Sequence, residues 1–116
     1  MKPTFRLTYI YRKRTYVVPV YLWDVHPNTF ENWGNGRWGC FIPTPDLDMF
    51  GELHFVKSRL RFDLVDHELF HVFVETIWSH GETITRRNEE SMADFKDYLT
   101  RIFLRELRKA EPKIKL

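Results

Sequence analysis

The hydrophobic pattern divides the chain in two. Through residue 56, apolar residues come in short runs separated by turn residues. "TFRLTYIY" (4–11) and "TYVVPVYLW" (15–23) are rich in β-branched and aromatic residues, and "RKR" (12–14) separates them as a polar tip. The pair predicts a β-hairpin. Pro19 predicts that the second strand is interrupted or lies at an edge, because proline has no N–H for a ladder. "WGCFIP" (38–43) and "FGELHFV" (50–56) are further strand candidates. In the latter, Leu53 and Phe55 would face one side and Glu52, His54 and Val56 the other. The turn-rich stretch 26–39 has room for a short helix at 28–33, and "TPDLD" (44–48) reads as a loop.

The period then changes. From about Leu60 to His80 there is no helix breaker, and Gly81 stands where a C-terminal cap glycine belongs. Apolar residues go nearly all the way round this helix, which predicts a buried central element. "GETITRRN" (81–88) is a connector. A second helix is expected from about Arg86 to Lys109, with Thr85 as its cap. Met92, Phe95, Leu99, Ile102, Phe103 and Leu107 form its core-facing stripe. Pro112 ends it and "KIKL" reads as a tail.

Composition narrows the class. A chain of 116 residues is one domain by size, and a formal net charge of +2 gives no strong field for nucleic acid. Lys2, Arg6, Arg12, Lys13 and Arg14 do precede the first acid, Asp24, and aromatics such as Trp23 and Trp38 could stack bases. A solvated hairpin end and a small aromatic core account for both features, so a nucleic-acid partner is not expected. Cys40 is the lone cysteine, which excludes an intrachain disulfide and suits a reducing compartment. No run approaches the roughly 18 apolar residues of a membrane span, and the N-terminus has no apolar stretch of signal-peptide type. A soluble cytoplasmic protein without a membrane partner is expected.

The chemistry concentrates in "VDHELFHVF" (65–73), where polar groups interrupt an otherwise apolar helix. His67 and His71 lie one turn apart and about 40° apart in azimuth, so both imidazoles can reach one metal ion. Glu68 is rotated by about 100° from His67, beside the metal position rather than on it. There it can hold and deprotonate a water molecule. This is the H-E-x-x-H arrangement of zinc hydrolases. Such a site needs a third protein ligand and an open fourth position. His54, His80, Glu82, Glu89 and Glu90 are the candidates. Glu90 has Asp94 four residues on, able to accept a hydrogen bond from a ligand histidine. Glu89 lies nearer the Met92–Phe95–Leu99 stripe.

"HELFH" followed by "NEESMAD" resembles the gluzincin zinc metallopeptidases, the thermolysin-like group, in which H-E-x-x-H is followed by a glutamate ligand and then an aspartate. The resemblance implies His67, His71 and Glu90 as Zn²⁺ ligands (Glu89 as the alternative third ligand), Glu68 as general base and Asp94 as the partner behind a ligand. The interval to Glu90 is one residue shorter than in thermolysin. "GELHFV" resembles the strand that lines the cleft in these enzymes. The chain as a whole is similar to small single-domain zincins, the minigluzincins and phage-encoded zincin-like proteins.

The expected fold is therefore α+β and zincin-like. A small twisted sheet from residues 1–56 would pack on an H-E-x-x-H helix and a C-terminal glutamate helix within 60–109, with 110–116 as a tail. The expected activity is zinc-dependent peptide-bond hydrolysis. The substrate, a protein or peptide, would add as a strand to an exposed edge, either "ELHFV" or "WGCFIP". The alternative is a zinc-bearing module that grips a protein partner with little turnover. The family's oxyanion-stabilising histidine or tyrosine has no clear counterpart, and Tyr98, His80 and His54 are the residues that could serve.

Overall fold

The computed structural model describes residues 2–27, 37–44 and 50–116. Its order is β1 (Phe5–Tyr11), β2 (Arg14–Trp23), β3 (Gly39–Pro43), β4 (Gly51–Val56), a 3-10 turn (Lys57–Arg59), α1 (Phe62–Ser79) and α2 (Glu89–Ala110). The architecture is α+β. A four-stranded mixed sheet in the order β1-β2-β4-β3 carries both helices on one face. The expected helix at 28–33 and most of the 44–48 loop lie outside the described residues.

β1 and β2 pair antiparallel around a two-residue turn, Tyr11 opposite Arg14. Arg12 and Lys13 take positive φ values of 50° and 66° there. Short hairpin turns favour that left-handed geometry because it matches strand twist. Arg12 is held by an ion pair to Glu82 at 2.8 Å. β2 is not an edge strand, since it also pairs parallel with β4. That second ladder begins at Val20, one residue after Pro19. The missing N–H therefore falls where β2 has a single neighbour.

β4 lies between β2 and β3, so it offers no free edge, whereas β3 is the outer strand. Of the two expected edges, "WGCFIP" is the one realised. Alternation along β4 is as expected. Leu53 and Phe55 enter the core under the helices, while His54 and Val56 point to the other face.

The core forms between the sheet and the helices. Tyr9 reaches both helices, with its hydroxyl 2.7 Å from the Thr76 Oγ1 and its ring 6.0 Å from that of Phe95. The six stripe residues of α2 are all buried. α2 begins at Glu89 rather than Arg86. Thr85 forms a turn with Asn88 instead of capping the helix, its N–H donating to Asn88 Oδ1. Gly81, at φ 70°, closes α1 as expected. Its N–H donates to the Trp78 carbonyl, and the Glu82 N–H donates to that of Ile77.

α1 departs from the central helix its composition predicts. Its buried side carries Val65, Leu69, Val72, Phe73 and Ile77, but Phe62, Phe70 and Trp78 are about half exposed or more. The fold has two layers, and among the described residues nothing covers the outer side of α1. The expected tail is partly docked, with Ile114 packed against the core and Glu111 paired to Lys57 at 2.8 Å.

Candidate functional site

α1 sits with α2 on one flank and β3 on the other. Lys96 reaches Asp66 at 2.6 Å and the rings of Phe95 and Phe73 lie 5.8 Å apart, which marks the α2 flank. Glu68 is rotated by about 200° from Asp66, so it points to the β3 flank. His67 and His71 stand on the crest between the two flanks. Their ring centroids are 5.1 Å apart, with planes at 77°. The His67 side chain is 69% exposed, and Glu68 is buried with its Oε2 3.9 Å from His67 Nε2.

These three side chains line one groove of about 540 Å³ together with Arg37, Trp38, Gly39 and Leu64. The close approach of β3 to α1 needs a residue without a side chain at 39. A Cβ there would come within 2.9 Å of the Phe55 ring and 3.3 Å of Leu64. The Phe41 backbone N–H faces the Glu68 carboxylate. Burial raises the Glu68 pKa above the ordinary carboxylate value, while the two imidazoles, the Phe41 N–H and Arg37 pull it back down. A carboxylate so placed is a better proton acceptor than a solvated one, which is what a general base requires.

The glutamates expected as third ligands lie on α2. Glu89 and Glu90 are exposed in the first turn of α2, and Asp94 is exposed further along it. α1 continues to Ser79 before the chain turns back. α2 packs beside α1, and its Lys96 meets Asp66, the residue before the H-E-x-x-H turn. Glu90 lies six residues before Lys96, about 9 Å along the axis of α2. Among the described residues no third His, Cys, Asp or Glu joins His67 and His71 in a metal-ready cluster. The donors present fit zinc as a two-imidazole half-site with an acceptor carboxylate beside it.

The three residues considered for oxyanion stabilisation lie outside the groove. The Tyr98 hydroxyl accepts from the Ile10 N–H at 3.3 Å, and His80 Nε2 lies 2.6 Å from the Tyr16 hydroxyl. His54 is on the opposite sheet face. Trp23 Nε1–H donates to its Nδ1 at 3.0 Å, which places the ring proton on Nε2, 2.9 Å from Glu52 Oε2.

Two residues join the site that sequence reasoning missed. Arg37 lines the groove on both sides of Glu68, and Glu75 lines its continuation with Glu68 and His71. Glu75 was legible as the next i+4 position after His71. Arg37, in a turn-rich segment without periodicity, carried no such signal. No protein-family model matches the chain, and neither the curated proteins nor the solved structures contain a match.

Proposed function

We propose that this protein is a zinc-dependent peptide hydrolase of zincin type, in which His67 and His71 hold the metal and Glu68 is the general base. The observation that carries this reading is the convergence of two adjacent imidazoles and a buried, proton-hungry carboxylate on one groove beside an outer β-strand. Zinc bound there would supply a Lewis acid and a water molecule that loses its proton near neutral pH. Glu68 accepts that proton on a carboxylate oxygen and returns it to the departing amine nitrogen. The Phe41 N–H keeps the carboxylate from swinging into solvent. β3 offers the Gly39 N–H and its outward carbonyls to an extended peptide, the Phe41 N–H facing Glu68, so main-chain pairing sets the substrate's direction. Arg37 stands close enough to influence Glu68 and is the cation best placed to face charge developing on the scissile carbonyl.

A second reading is a zinc-bearing module that grips a protein partner with little turnover. It is favoured by the placement of Tyr98, His80 and His54, each engaged elsewhere. Incubation of the zinc-loaded protein with unstructured peptides, with and without a chelator, separates the two. Chelator-sensitive cleavage supports the hydrolase, and stable capture without cleavage supports the module.

A further inference from the structure

The groove does not end at His67. Through Trp38 and Leu64 it continues into a second pocket of about 280 Å³ lined also by Ser58, Arg59, Leu60 and Arg61. The Arg59 guanidinium lies 4.7 Å over the Trp38 ring, which orients an otherwise mobile cation along the pocket wall. Among the described residues Arg61 is paired only with Asp63, at 3.0 Å, and both side chains are more than 70% exposed. That pair contributes little and leaves the guanidinium available. Arg59 and Arg61 thus line this end of the groove, with Asp63 beside Arg61, while Arg37 stands at mid-groove next to Glu68. Past His71 the groove reaches Glu75, which it shares with an apolar pocket of Phe70, Val74 and Trp78. The two ends therefore differ in charge, with two guanidinium groups at the Ser58–Arg61 end and the Glu75 carboxylate beyond His71.

We infer that the Arg59–Arg61 pocket binds a carboxylate of an extended peptide, so that the groove selects acidic peptides. This rests on reading the groove as a peptide cleft. Arg61 caps α1, and the five helical steps from Phe62 to His67 span about 7.5 Å, while an extended chain advances about 3.4 Å per residue. The carboxylate therefore belongs two to three residues from the bond at Glu68. Planar guanidinium groups suit it because they hold a carboxylate through two parallel hydrogen bonds.

The test uses zinc-treated Glu68→Gln protein and fluorescein-labelled peptides that differ only in carrying Asp, Asn or Lys two or three residues from the centre. Binding is followed by anisotropy. The Asp peptide should bind about tenfold more tightly at low salt, with the advantage shrinking as salt is raised. In Arg59→Glu/Arg61→Glu the preference should pass to the Lys peptide. The milder Arg59→Gln should reduce it partway, with circular dichroism confirming the fold of each variant. Peptides with free and amidated C-termini distinguish a terminal carboxylate from a side-chain one. Equal binding of the three peptides, an unchanged preference in the arginine variants, or tighter binding of single-stranded DNA would overturn the inference. Because binding is read without turnover, acid-selective binding alongside an inert wild type would remove the hydrolase reading and leave the pocket standing.

Discussion

Oε2 of Glu68 lies 3.9 Å from Nε2 of His67, although the two side chains have opposite environments: the carboxylate is buried under β3 and the imidazole is open to solvent. Helix geometry produces this division. Neighbouring residues differ by about 100°, so one turn of α1 can present a metal-binding crest and a shielded base.

Glu68→Gln tests the base. The amide has nearly the same shape and can still meet Phe41, but it cannot take a proton. Chelator-sensitive peptide cleavage should fall by about 10²- to 10⁴-fold while zinc content stays the same. Cleavage by the variant at the wild-type rate would remove Glu68 from the mechanism.

Stability should depend on His54 at mildly acidic pH. Burial lowers its pKa below 6.5, against the smaller opposing effect of Glu52. The unfolded chain therefore takes up the proton first. The stabilisation is complete above about 6.5 and is lost as the pH falls through the depressed folded value. Thermal unfolding between pH 7.5 and 5 should show a fall in the melting temperature that His54→Gln flattens. An identical slope in the two proteins would count against this account.

How much of this was legible in the sequence follows from what each feature depends on. The α2 stripe and the alternation of Leu53, His54 and Phe55 are local periodicities, and the fold follows them. Pro19 was misleading because the β2–β4 ladder starts one residue beyond it, a register set by the parallel pairing of distant strands. α1 reads as buried on all sides because its exposed aromatic residues look like core residues until the layers are counted. The distance of Glu90 from the imidazoles depends on where the helical hairpin turns. The motif spacing alone does not contain the packing of two helices joined by the connector after Ser79.

Cys40 should be inert in the folded protein. Burial, with a smaller contribution from the Glu68 charge, pushes its thiol pKa up to about 12, so almost no thiolate exists at pH 8. A disulfide-exchange reagent should label it only after denaturant is added. Rapid labelling of the native protein would contradict the packing of the outer sheet face.

Lys13→Gly should stabilise the hairpin. Lys13 holds a φ of 66°, which costs an L-residue energy that glycine avoids. The net gain, after the extra entropy of the unfolded chain, is about 0.5–1 kcal/mol. A melting temperature lowered by this substitution would show that the turn geometry is wrong.

The central claim concerns one metal ion on the crest of α1. It is tested most directly by zinc stoichiometry, measured by native mass spectrometry on the wild type beside His67→Ala, His71→Ala, Glu89→Gln and Glu90→Gln. The expected result is stoichiometric zinc in the wild type, lost from both histidine variants and kept by both glutamate variants, whose exposed side chains form no donor cluster with the imidazoles among the described residues. A wild type that takes up no zinc, or histidine variants that hold as much as the wild type, would contradict it.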